Sequence, residues 1–178
     1  MGKKTPFSHS RSYDDEVLGC LLDDPTRSAR EVAKKLGSYR QKIWRQKKKL
    51  EDDKVVWGYT AIVDEMTMKR VLYIVLLKLK PMSSELADVI IERLTTGRPQ
   101  RENVRLITSL YLNGEYDWLV MFSAPNHAMA RRYYDSLRLS YAEHLIEKPV
   151  IVDVNFTVVR EGKLNPKLEE LRDFVPMS

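Results

Sequence analysis

Residues 55–64 read Val55-Val56-Trp57-Gly58-Tyr59-Thr60-Ala61-Ile62-Val63-Asp64. β-Branched and aromatic side chains follow one another without a helical period and stop at an aspartate, which predicts an extended connector strand. On its N-terminal side the apolar repeats have the period of helices. On its C-terminal side runs of strand and helix alternate. The stretch therefore joins two units.

In the first unit, Asp14-Asp15 offers an N-cap and an acidic first turn, after which Val17, Leu18, Leu21 and Leu22 recur at helical spacing until Asp24-Pro25. Ser28 followed by Glu31 is a capping box that opens a second helix carrying Val32, Ala33 and Leu36, with Gly37 as its stop. Ser38 or Tyr39 caps a third helix through about Glu51, with Ile43 and Leu50 inward and Tyr39 near its start. Two short helices, a glycine turn and a third helix make a helix-turn-helix pattern.

The charge of +5 belongs to this unit: residues 1–60 hold 14 Lys and Arg against 9 Asp and Glu, whereas residues 61–178 hold 16 of each sign. Such asymmetry suits a polyanionic partner, and the other reading is a solvated lysine-rich face. Gln41, Arg45 and Lys48 fall opposite Ile43 on a helical wheel. Arginine and glutamine make paired hydrogen bonds to base edges in the major groove, whereas lysine neutralises phosphates. Arg40, Gln41, Trp44 and Arg45 are assigned to the groove floor of double-stranded DNA, and Lys42, Lys47, Lys48 and Lys49 to its backbone. The alternative for Trp44 is a core or interdomain aromatic.

In the second unit, Arg70–Lys80 is a strand closed by Pro81, and Ser83 or Ser84 caps a helix that bears Leu86, Val89, Ile90 and Leu94 and stops at Gly97-Arg98-Pro99. Val104–Leu112 and Tyr116–Ser123 read as strands joined by Asn113-Gly114, the favoured pair of a type I′ turn. A helix from Pro125 to about Glu143 and a strand Val150–Val159 follow. The order β-α-β-β-α-β is a ferredoxin-like arrangement with both helices on one face of an antiparallel sheet. Its other face needs a cover, which argues for a homodimer with stacked sheets. Asn165–Val175 is a short amphipathic tail with Leu168, Leu171 and Val175 on one side. The organisation is a disordered basic tail at 1–12, a helix-turn-helix at 13–54, connector and linker at 55–69, the βαββαβ domain at 70–160 and the amphipathic tail at 161–178.

These residues resemble the Lrp/AsnC family, the leucine-responsive and asparagine-synthetase regulators of bacteria and archaea, from about Tyr13 to Arg160. The likeness is carried by Leu21-Leu22, by Ala29–Leu36 with Gly37, by Ile43-Trp44-Arg45, by Leu50-Glu51 and above all by Val55–Asp64; Gly114-Glu115-Tyr116-Asp117 looks like the family's turn before the third strand of the regulatory domain. The resemblance implies an α+β chain: a helix-turn-helix or winged-helix-like head on a regulation-of-amino-acid-metabolism (RAM) domain. It implies a transcription regulator that forms dimers through that sheet, assembles further into tetramers or octamers, and binds promoter DNA as paired half-sites. It implies a free amino acid as effector, placed here at Asn113, Gly114, Glu115, Tyr116 and Asp117, where Gly114 admits backbone N–H groups to a carboxylate and Asp117 pairs with an ammonium. Several features depart from the pattern, Glu102–Arg105 and the long tail among them. Lys54 stands where the family has glycine, so a turn there must avoid positive φ or carry strain. Gln46 and Lys47 replace an arginine and an apolar residue, and the third helix opens on Ser38-Tyr39 instead of Leu-Ser-Pro.

Two other classes compete. Siroheme decarboxylases have a similar architecture, and Tyr116-Asp117-Trp118 faintly resembles their Tyr-Asn-x-Trp segment, but the chain offers only His9, His127 and His144 to a tetrapyrrole. A regulatory domain acting as an oligomerisation module without DNA is the other. Cys20 reads as a buried small hydrophobe, and one cysteine points to a reducing, cytoplasmic setting. No metal-ligand spacing, phosphate-cradling glycine loop or Ser-His-Asp grouping emerges, so no metal or cofactor is expected and the chain reads as no enzyme. The longest apolar run, Val71–Leu79, is broken by Lys78 and is too short to span a membrane, which takes about 20 residues.

Overall fold

The computed structural model describes residues 13–96 and 103–176, in two compact units that divide between Ala61 and Ile62. The basic tail at 1–12 and the helix stop at Gly97-Arg98-Pro99 lie outside the described residues.

The first unit packs three helices, α1 (Tyr13–Asp23), α2 (Ala29–Lys35) and α3 (Arg40–Asp52), around one small core. Val17, Cys20, Leu21, Val32, Ala33, Ile43 and Leu50 fill it, so Cys20 is the buried hydrophobe expected of it. Leu22, in contrast, is 71% exposed, because it follows Leu21 by 100° around α1 and passes the edge of the buried stripe. The capping box is complete: the Glu31 N–H donates to Ser28 Oγ at 3.3 Å and the Ser28 N–H to Glu31 Oε2 at 2.7 Å. Gly37 takes φ +60°, and the Ser38 N–H then closes α2 on the Ala33 carbonyl at 2.9 Å.

The second unit is a four-stranded antiparallel sheet in the order β2-β3-β1-β4, built from β1 (Val71–Leu77), β2 (Arg105–Tyr111), β3 (Trp118–Ala124) and β4 (Val150–Val154). Helices α4 (Ser84–Thr95) and α5 (His127–Ser140) begin at Ser83 and Asn126, whose side chains accept the Leu86 and Met129 N–H groups. Both helices feed the same core as one sheet face: Leu86 and Ile90 of α4 and Ala130, Tyr134 and Leu137 of α5 meet Tyr73, Val75, Leu77, Val120 and Phe122. This is the ferredoxin-like arrangement expected. The other face presents Leu76, Leu119, Leu110 and Val150 in one cross-strand row and Ile74, Met121, Thr108 and Val152 in the next. Leu110, Val150 and Val152 on it are 47%, 40% and 42% exposed.

Several local expectations are corrected. Residues 55–63 form no paired strand, because a strand needs a partner's N–H and C=O groups and none of the described residues supplies them. Asn113 and Gly114 do not adopt the positive φ of a type I′ turn. Instead the Leu112 N–H bonds the Asp117 carbonyl at 2.7 Å and closes a wider four-residue loop. Glu161 and Gly162, with φ +48° and +73°, turn a hairpin of β5 (Val159–Arg160) and β6 (Lys163–Leu164) as that turn type requires. The fourth strand therefore ends at Val154 and not at Val159. The tail forms a 3₁₀ helix, Leu168–Phe174, anchored by Lys167 Nζ on Asp64 Oδ2 at 2.8 Å and by Phe156 against Phe174, ring centroids 5.9 Å apart.

A charged knot ties the second unit together. Glu65, only 6% exposed, receives Arg105, with Arg160 at 3.4 Å and Arg70 at 3.9 Å. Arg70 also donates from Nε to Ser123 Oγ at 3.0 Å and from Nη2 to the Ser123 carbonyl at 2.8 Å.

Candidate nucleic-acid interface

Helix α3 buries Ile43 and Leu50, seven residues apart, and this fixes which way the rest of it points. Arg40, Gln41, Lys42, Trp44, Arg45, Lys48 and Lys49 are all exposed. Gln41, Arg45 and Lys48 make one stripe at spacings of four and three. Trp44 is 56% exposed and stands beside that stripe with Lys48 Nζ 5.6 Å from its ring centroid, a contact one helical turn long. Trp44 is therefore no core residue of the head.

Lys47 is placed differently. It is half-buried, with its ammonium 4.6 Å from the centroid of Tyr59, whose hydroxyl donates to Glu51 Oε1 at 2.9 Å. Desolvation of that hydroxyl, reinforced by the Glu51 carboxylate, raises the Tyr59 phenol to about 12, so it remains a neutral donor at physiological pH. The connector thus folds back on the last turns of α3 and draws one of its cations aside.

Tyr39, one of the two caps expected for α3, is 66% exposed. It occupies the N-cap with φ −116° and ψ 146°, outside the helical repeat that would have carried it under the core, and its side chain makes no capping bond. The start of α3 holds no acidic residue, so its free N–H groups and the positive end of its dipole face outward beside Arg40 and Lys42.

The Asn113–Asp117 loop joins β2 to β3 in the second unit. Asn113, Gly114 and Glu115 are exposed, whereas Tyr116 and Asp117 are half-buried. Asp117 Oδ2 accepts the Leu79 N–H at 2.8 Å, and the Asp117 N–H donates to the Leu77 carbonyl at 3.0 Å. One carboxylate oxygen is thereby spent on holding the loop to the end of β1. A Cβ added at Gly114 would meet nothing within 4 Å, so this chain alone gives Gly114 no steric reason to be glycine. His127 Nδ1 lies 2.7 Å from the Tyr73 hydroxyl, and the His144 carbonyl accepts the Lys80 N–H at 2.8 Å; both are tied into the fold of the second unit. Among the described residues no helix is long and apolar enough to cross a membrane.

No protein-family model matches the chain, and no curated protein matches it by sequence. Solved structures do. The chain superposes on an AsnC-family transcriptional regulator from Agrobacterium tumefaciens with a TM-score of 0.62 at 20% identity, covering 86% of this chain and 95% of that one. The leucine response regulatory protein of Mycobacterium tuberculosis gives 0.64 at 14% identity, covering 87% and 99%. A transcriptional regulator of Neisseria meningitidis, solved as its L-Met complex, gives 0.61 at 15% identity, covering 83% and 90%. The chain has the fold of Lrp/AsnC regulators along nearly their whole length.

Proposed function

We propose that this chain is a sequence-specific, DNA-binding transcription regulator of the Lrp/AsnC type and that α3 is its reading helix. The observation that carries the proposal is the outward stripe of α3: Arg40, Gln41, Arg45 and Lys48 stand exposed beside Trp44, on the one helix whose buried residues leave no other orientation. Guanidinium and amide groups at helical spacing match base edges, and the ammonium groups beside them match phosphates. Arg40, Gln41, Trp44 and Arg45 take the groove floor; Lys42, Lys48 and Lys49 take the backbone, and Lys47 joins them when it leaves Tyr59. The chain works as a regulator and not as an enzyme, in the cytoplasm, as a homodimer joined through the apolar sheet face of Ile74, Leu76, Leu119, Met121, Val150 and Val152.

An amino acid is the effector in this reading, held by the Asn113–Asp117 loop at a contact between dimers. The L-Met of the Neisseria structure supports that class of ligand. Melting temperature recorded across the twenty amino acids tests it: a native-state ligand raises it by mass action, and a flat series refutes it.

The DNA reading is tested by titrating the purified protein against the duplex upstream of its own coding sequence and an unrelated duplex of equal length, at low and physiological salt. Tighter binding to the former, falling as salt rises, is the expected result. No binding to either duplex overturns the reading.

A further inference from the structure

Helix α4 enters the core with its first half, through Leu86 and Ile90, but its second half carries Arg93 where a core-filling side chain would stand. A cavity of about 470 Å³ results, between α4, α5 and the β2–β3 side of the sheet. That volume is of the order that small organic ligands occupy. Its walls are aromatic: Trp118 from β3, and Tyr133 and Tyr141 from α5 and the turn after it. Ser136 and Ser140 set hydroxyls at its exposed rim.

Arg93 is the anomaly in this cavity. Its Nη1 is shielded from solvent, yet among the described residues it has no hydrogen-bond acceptor. The guanidinium lies 5.1 Å from the Tyr141 ring centroid, a contact that holds the cation in place and satisfies none of its directional donors. A shielded donor without an acceptor is costly, and a guanidinium fork is shaped for a carboxylate. Trp118 Nε1 already donates to Ser109 Oγ at 2.8 Å, and burial raises the Tyr133 phenol, so both rings offer faces to a ligand and no charge. The one acidic residue of the lining, Glu92, is exposed, so no carboxylate inside would pair with an ammonium.

We propose that this cavity is a binding site for an aromatic monocarboxylate, its carboxylate on Arg93 and its ring between Trp118, Tyr133 and Tyr141. The site is separate from the Asn113–Asp117 loop and does not depend on the DNA reading. One guanidinium selects a single negative charge, the three rings select a flat apolar body, and the lack of an internal acid disfavours amino acids.

Isothermal titration of the full chain with indole-3-acetate, phenylpyruvate and 4-hydroxyphenylacetate tests the proposal, with indole-3-acetamide and L-tryptophan as controls. At least one of the acids binds, and the strongest is weakened about 10- to 100-fold by Arg93→Gln, the scale of a lost charge-assisted pair. Indole-3-acetamide, which lacks the charge, and L-tryptophan, which adds an ammonium, bind at least about tenfold more weakly than that acid. Ser136→Trp, at the solvent-exposed rim, blocks the cavity with Arg93 intact and abolishes binding, which decides the matter where Arg93→Gln does not fold. Failure of all three acids to bind the wild type, equal binding by a folded Arg93→Gln, equal binding of the amide, or binding that survives Ser136→Trp overturns the proposal.

Discussion

Arg45 and Lys48 sit less than one turn apart on the same exposed stripe, and their chemistry gives them different tests. In the proposed DNA complex, Arg45→Ala removes a planar fork that can read a base, so it is expected to cost roughly 1–3 kcal/mol at a preferred site and to blur specificity. Lys48→Ala removes a point charge, so binding to every sequence weakens alike and the salt slope falls by about one unit. Equal losses on specific and random duplexes for both variants refute the division of roles. Lys54 poses a question of stability. It takes φ +58° where α3 ends, and the Val55 and Val56 N–H groups both return to the Leu50 carbonyl at 3.0 Å, so the left-handed residue is held by the turn around it. A left-handed conformation costs an L-residue about 1–2 kcal/mol, partly offset in glycine by about 0.5–1 kcal/mol of extra chain entropy. Lys54→Gly is therefore expected to stabilise the head by about 0.5–1 kcal/mol. Its check is a higher urea midpoint at unchanged slope.

At the scale of elements, the parts that sequence placed well are those whose signals are local. Ser28 and Glu31 cap each other across three residues, Gly37 stops α2 at positive φ, and Ser83 opens α4. The parts it misplaced depend on a partner. Asn113-Gly114 has the composition of a tight turn, but Asp117 is pulled away to the Leu79 N–H, and the loop widens to let it go. The tail behaves similarly, since Lys167 reaches back to Asp64 over a hundred residues. Lys167, with the Thr67 hydroxyl and N–H, holds the Asp64 carboxyl well below the usual carboxylate range. A lowered folded-state pKa contributes stability that is present above the ordinary aspartate value of about 3.9 and is lost as pH falls below it. The tail anchor is accordingly expected to hold at neutral pH and loosen in acid below about pH 4, and Lys167→Ala returns Asp64 toward the ordinary value. Carboxyl-carbon NMR titration of the wild type and of Lys167→Ala reads both, and an unchanged Asp64 titration in the variant counts against the clamp.

For the whole molecule, the decisive feature is a sheet with one covered face and one apolar face left open. Ile74 and Val152 pair across β1 and β4 on that open face, with Met121 on the other side of Ile74. Burying such rows against a second copy gives roughly 25 cal/mol for each Å² removed from water, and a carboxylate introduced there would have to be desolvated unpaired. Val152 is 42% exposed in the single chain, so a polar residue at that position is tolerated by the fold. For the proposed homodimer, Val152→Glu is expected to leave helix content and melting nearly intact while sedimentation velocity shows the mass of two chains for the wild type and of one for the variant. Retention of the dimer by this variant would place the interface elsewhere.

The sequence by itself determined the three helices of the head, the β-α-β-β-α-β order of the second unit and the direction in which α3 points. Each follows from periodicity and capping within a dozen residues: Ile43 and Leu50 are enough to turn Arg45 outward. Only the tertiary structure decided what lies between distant segments. It gathered Arg70, Arg105 and Arg160 around Glu65, turned Tyr39 to solvent, set Lys47 over Tyr59 and left Arg93 Nη1 without an acceptor among the described residues, beside a cavity. The physical reason is range. Helix and turn signals act over a few bonds and can be read one residue at a time, whereas a buried charge finds its partner, or fails to, only when segments far apart in the chain have packed.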